Sequence, residues 1–320
     1  MYRNILSIEN EVIEVIIMNK TGIPSRYKGI CYIVMSAFCF AVMNAFVRLA
    51  GDLPSVQKSF FRNLVAFFFA LAILLYSREK FEVLKGNLKY LLLRSIFGTL
   101  GILCNFYAID HLVLADASML NKMSPFFVII FSYFILKECA NAVQTTAVVI
   151  AFVGSLFIIK PSFSNVAFIP AIVGLIGGMS AGFAYTMVRL LGKRGQSGPF
   201  VVFFFSGFSC LVTLPYLLLS YHPMLLSQLL SLLGAGMAAA GGQFAITAAY
   251  FHAPAKEISI YDYSQIIFAA GLGFFLFGQI PDIYSVFGYF LICGMALLMF
   301  LYNNGILTGK RKNGKEEEKL

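Results

Sequence analysis

Lys122 and Asp262 are ionisable residues set inside long apolar runs of a 320-residue chain, and their types point to the handling of charged groups. Counted from the start of its run near residue 115, Lys122 lies about 10 Å deep at 1.5 Å per helical residue. A lysine at the centre of a membrane helix costs roughly 2.5–3.5 kcal/mol, so its ammonium must turn to a protein interior or to water and meet a partner there. Lys122 suits the grip of a carboxylate or phosphate. Asp262 enters a later run by a similar depth from the other end, and suits an amine or a coupling proton. A salt bridge between the two is the alternative reading for both.

Neutral polar residues punctuate the same runs: Asn44, Asn105, Asn121, Tyr185, Gln243, Tyr261, Tyr263 and Gln265. These groups can exchange hydrogen bonds with a polar solute at modest desolvation cost, although each alone is also an interhelical hydrogen bond worth about 0.6 kcal/mol. Arg62 adds positive charge near the level of Lys122 and would favour anionic solutes. Arg48, Arg94 and Arg189 fall within about two turns of expected helix ends, where long side chains reach headgroups. Pro125 removes the amide that would bond the Asn121 carbonyl, so a kink is expected beside Lys122.

The inventory excludes several chemistries. The three histidines, His111, His222 and His252, all fall near breaks between runs, and the six cysteines show no CxxC or metal-type spacing. No catalytic residue, metal site or cofactor is expected, and an enzyme is not. The chain has no Walker A loop, so transport would be driven by a proton, an ion or an exchanged solute. A channel would favour rings of like groups, whereas these polar residues are scattered singly.

The elements that must hold these residues follow from composition. The chain is 59% hydrophobic and 12% charged, with a mean hydropathy of +0.82, far from the quarter-charged norm of soluble domains. Apolar runs near 28–50, 57–77, 89–110, 115–136, 141–160, 168–191, 198–219, 227–251, 256–277 and 282–302 predict ten transmembrane helices. The net charge of +9 resides mostly in the breaks between runs and in the tail, which argues for membrane topology and against a nucleic-acid partner. Lys28, Lys85, Lys89, Lys137, Lys193, Arg194 and Lys256 fall in alternate breaks, so that side is cytoplasmic, with both termini, in a cell membrane. Residues 1–27 form a cytoplasmic leader without the marks of a signal peptide, and 303–320 a polar basic tail.

The chain also repeats itself. At an offset of 141, Val47, Arg48, Leu49 and Gly51 meet Val188, Arg189, Leu190 and Gly192; His111 meets His252 and Glu138 meets Gln279. One unit spans 28–160 and the other 168–302. Each holds an odd number of spans, so the second enters the membrane inverted, the arrangement that underlies alternating access in secondary transporters.

Within the first unit, Arg94 near a helix start, Asn105-Phe106-Tyr107-Ala108, Leu114-Ala115-Asp116-Ala117, Pro125 and terminal Glu138 form a local signature. In these residues the chain resembles the drug/metabolite transporter superfamily, specifically its EamA-type members, over about 28–302. The second unit departs from the pattern, with Gln265 and Ile266 where a proline like Pro125 is expected and Gln279 in place of a glutamate. The resemblance implies helices one to four and six to nine around a central cavity, with helices five and ten outside.

The expected protein is a secondary carrier of a small polar metabolite, such as an amino acid or related organic solute. Uptake of a nucleoside-like or adenosyl metabolite is the alternative, and a membrane enzyme or channel the remote one. Expected partners are the solute, the lipid bilayer and, possible for such a bundle, a second copy as a homodimer.

Overall fold

A computed structural model describes residues 25–76, 81–112, 114–138, 141–159, 168–280 and 283–303. The leader's first 24 residues, Lys80, Lys160, Pro161, Pro281 and the tail beyond 303 lie outside the described residues. Every regular element among the described residues is helical: α1 Ser25–Leu49, α2 Ser55–Tyr76, α3 Leu88–His111, α4 Leu114–Asn121, α5 Ser124–Leu136, α6 Ala142–Ile159, α7 Phe168–Lys193, α8 Gly198–Leu219, α9 Leu226–His252, α10 Ala255–Ile258, a 3₁₀ turn Ser259–Tyr263, α11 Ser264–Phe277 and α12 Ile283–Asn303. Seven stretches are long and apolar enough to cross a membrane, α4 and α5 counting together as Ala117–Leu136; α6 and α12 supply shorter apolar segments. Helices are what such a sequence must form, because in hydrocarbon each backbone amide and carbonyl has to be satisfied within its own segment.

Burial is inverted relative to a water-soluble domain. Phe68, Phe134, Leu211, Leu218, Phe275 and Phe290 are exposed, while Asn44, Lys58, Arg62, Arg94, Lys122 and Asp262 are buried. That distribution matches a bundle whose outer solvent is lipid and whose polar groups turn inward.

The helices pack as α1 on α9, α3 on α7, α2 on α8, α5 on α7, α11 on α1, and α6 on α12. Exchanging α1–α3, α5 and α6 with α7–α9, α11 and α12 maps this set onto itself. Two glycine rows allow the closest approaches. A side chain at Gly178 would collide with the Leu120 carbonyl and one at Gly182 would come within 2.8 Å of the Ser124 carbonyl, so α7 lies directly on the α4–α5 junction. On α9, Gly234 and Gly242 receive the rings of Phe46 and Phe40 from α1.

Both halves break the corresponding helix at the same place. The first breaks at Lys122 and Met123, between α4 and α5, where Pro125 sits in the first turn of α5. The second relaxes into the 3₁₀ turn that ends at Tyr263, 141 residues after Lys122. Both broken helices end on a left-handed residue, Lys137 (φ 56°) and Gly278 (φ 62°), again 141 apart. The caps also correspond: the Glu138 amide donates to the Ser132 carbonyl and the Gln279 amide to the Gly273 carbonyl.

Cross-links sort the connections into two groups. Gln196 bonds Leu84, Asn87 and Glu82, Arg189 and Lys193 pair with Glu138, and Tyr32 packs on His252. Elsewhere, Lys58 pairs with Asp110, Gln57 bonds His222 and Gln228 bonds the Ala50 carbonyl. The first group contains the Lys- and Arg-rich connections, the second the poor ones.

Candidate functional site

A cavity lies between the helices of the bundle. Its walls come from α1 to α4, α7 to α9 and α11, with no described residue of α6 or α12 among them. Asn44, Asn105, Asn121, Tyr185, Gln243, Gln265 and Arg62 all line it, so seven of the residues singled out in the sequence are brought together.

Helix α3 supplies the longest strip. Arg94, Gly98, Gly101 and Asn105 follow a 4-3-4 spacing, which places them on one helical face, and all four border the cavity. Gly98 has a steric reason to be glycine: a side chain there would strike the Arg94 guanidinium and come within 2.8 Å of the Phe205 ring. Relieved of that obstacle, Arg94 lies 3.9 Å over Phe205 and donates to Gln243 Oε1 at 2.9 Å. Arg94 is therefore not a headgroup-seeking residue, as its nearness to a helix end suggested; it is 2% exposed and belongs to the cavity. Its spacing with Gly98, Gly101 and Asn105 is the sequence signal that identifies it.

Arg62 enters from α2, 1% exposed, and donates to Asn63 Oδ1. Asn63 is itself held by Ser59 and by Ser209 Oγ of α8 at 2.8 Å. The ion pairs among the described residues leave Arg62 and Arg94 without a carboxylate, and the Nε of each has no hydrogen-bond partner among them. Farther along α3, Asn105 donates to Asn44 at 3.4 Å and Asn44 to Ser118 Oγ at 3.2 Å, a relay from α3 through α1 to α4. Tyr185 stacks on Tyr250, ring centroids 5.6 Å apart.

Lys122 and Asp262 stand behind the lining: the Lys122 amine lies 5.9 Å from the ring centroid of Phe40, which borders the cavity. The Lys122 amine donates to Asp262 Oδ1 at 2.7 Å, with both side chains at most 1% exposed, and neither borders the cavity. Their pair joins the two helix breaks. Tyr263 packs with Met119, Ala147, Ile266 and Ile292 in a separate apolar cluster, and Tyr261 lies against its edge. Tyr263 stands two residues before Gln265, a spacing that turns the two side chains to different faces, and of the two only Gln265 lines the cavity.

The two remaining arginines act at helix ends. Arg48 donates to the Leu112 carbonyl at 3.1 Å, and Arg189 to the carbonyls of Tyr250 and Phe251 at 2.9 and 3.2 Å. Each satisfies the C-terminal end of the third long helix of its own half, where unpaired carbonyls and the helix dipole favour a cation. Packing replaces the headgroup contact expected for them.

Residues 27–160 match the model of the EamA-like transporter family. The pseudopaline exporter CntI of Pseudomonas aeruginosa is 34% identical over 268 residues, covering 82% of this chain and 93% of that protein. Human solute carrier family 35 member G1 is 28% identical over 292 residues, covering 84% and 78%. A solved crystal structure superposes with a TM-score of 0.70 at 12% identity, covering 87% of this chain and 98% of its own, and so shares the fold. With its membrane-length helices, inverted burial and extended identity to a transporter, the chain belongs to the EamA-like transporter family of the drug/metabolite transporter superfamily and is a multi-pass membrane transporter.

Proposed function

We propose that the central cavity is the substrate site of a secondary carrier, which moves a small polar metabolite across the cell membrane by alternating access. The observation that carries this reading is a polar cavity walled by helices from both halves of the chain. Units 28–160 and 168–302 are its two inverted five-helix repeats, ten spans in all. The reading is supported by the 141-residue offset shared by the helix breaks and left-handed caps and by the exchange symmetry of the packing. Two similar halves can swap conformations, so outward- and inward-open states lie within a few kcal/mol of one another.

The basic connections face the cytoplasm, which places both termini there. The solute is an amino acid or related organic compound, and efflux is the favoured direction, because the Pseudomonas relative is an exporter. A proton, an ion or an exchanged solute drives the cycle.

Proteoliposomes offered radiolabelled amino acids, nucleosides and organic anions, with and without a pH gradient, test this. We expect saturable flux of at least one class, reduced more than tenfold by Asn105→Leu, which removes a lining amide at similar volume. An unchanged unfolding midpoint in the variant assigns the loss to the site. No flux for any class, or equal flux in the variant, contradicts the reading.

A further inference from the structure

We propose that the cavity takes a small organic anion, a solute carrying a carboxylate or phosphate group, with Arg62 and Arg94 as a two-point clamp. The inference rests on the cavity being a solute site and names the class of that solute. Both guanidiniums border one cavity, both are buried, and neither has a carboxylate among the described residues. A buried cation without a counter-charge is costly, and proteins ordinarily pair it. This chain does so for Lys122, which holds Asp262 at 2.7 Å. Among the described residues the same bundle leaves two buried arginines uncompensated, and the unpartnered Nε of each preserves a donor for a ligand.

The donor geometry suits an oxyanion. A guanidinium presents a planar fork that binds carboxylate or phosphate through paired N–H donors. Gln243 fixes one edge of Arg94 and Phe205 covers its face; Asn63 fixes one edge of Arg62. Both forks are thereby oriented before a ligand arrives, which lowers the ordering cost of binding. Phe40, Met43 and Ile102 also line the cavity and offer apolar surface to a short carbon skeleton. The cations both come from the first half, so the site is electrostatically one-sided although the fold is near-symmetric.

The test is thermal unfolding and titration calorimetry of the purified full-length protein in detergent at constant ionic strength. The probes are succinate, succinamate, succinamide and inorganic phosphate. We expect affinity to fall in the order succinate, succinamate, succinamide, and Arg62→Gln and Arg94→Gln each to weaken succinate at least tenfold. Arg62→Lys, which keeps the charge and loses the fork, should retain part of the binding. Without ligand, Arg62→Gln should melt at or above the wild-type midpoint, since it removes an uncompensated charge. Tighter arginine-dependent binding of phosphate than of succinate would support the clamp and assign it a phosphoryl group.

Equal response to the three succinyl probes, no response to any anion, or a ligand-free midpoint lowered by Arg62→Gln with succinate binding intact would overturn the proposal. Flux of a neutral solute that Asn105→Leu abolishes would, beside such a failure, leave the carrier reading standing. Anion binding without flux would do the reverse.

Discussion

The bundle buries cations in two ways. At the helix breaks, Lys122 is matched by Asp262, and the pair ties the two halves where each has lost regular backbone. In the cavity, Arg62 and Arg94 have only neutral hydrogen-bond partners among the described residues, Asn63 and Gln243. Compensated charge belongs to the architecture, whereas uncompensated charge is maintained against its desolvation cost and therefore implies a ligand. Two regions of similar burial thus separate by what each charge touches.

The sharpest way to break this contrast is to remove one half of the ion pair. Lys122→Ala should destabilise the protein by about 3–5 kcal/mol, because it strands a buried aspartate. The double variant Lys122→Met with Asp262→Leu should recover most of that loss, since apolar replacement of a whole buried pair is often neutral. Chemical unfolding in detergent reads both; equal, additive costs in the singles and the double would show that the charges do not depend on each other.

Gly178→Ala probes the packing beside the break. A methyl group there collides with the Leu120 carbonyl, and overpacking of this kind costs about 1–3 kcal/mol. Gly294→Ala, whose position is open, is the control and should leave the midpoint unchanged or slightly raised.

A smaller effect is expected at the helix ends. Arg189→Gln removes the donor to Tyr250 and Phe251, and loss of a cation at a helix C-terminus costs about 0.3–1 kcal/mol. Transport should be nearly unaffected, which separates the capping arginines from the cavity arginines. A loss of flux as large as that of Arg94→Gln would erase the distinction.

Much of this arrangement is legible in the sequence, and the exceptions have physical causes. Helix α8 occupies 198–219 as its apolar run predicts, and the α4–α5 break stands where Pro125 withdraws an amide. The break before α11 carries no such mark, because Gln265 and Ile266 replace the proline. There the 3₁₀ turn brings Asp262 to Lys122 by tertiary packing that local propensity does not encode. Tyr263, two residues before Gln265, falls on a different face and packs into an apolar cluster.

Arg94 is obscured for a different reason. Depth along the helix places it near an end, while direction around the helix, read from Gly98, Gly101 and Asn105, aims it inward. Lys122 and Asp262 can be recognised as a pair from their matched depths. That they pair with each other behind the cavity lining, by contrast, depends on how the two broken helices pack, which spacing along one helix cannot reveal.

The most direct test of the contrast is flux of a transported solute in proteoliposomes by wild type, Arg62→Gln and the apolar double variant at Lys122 and Asp262, with unfolding midpoints measured on the same preparations. The account predicts that Arg62→Gln loses at least tenfold in flux at an unchanged or raised midpoint, while the double variant retains flux within a few-fold. Flux preserved in Arg62→Gln and abolished in a stably folded double variant would contradict it, and would move the solute site from the cavity to the ion pair.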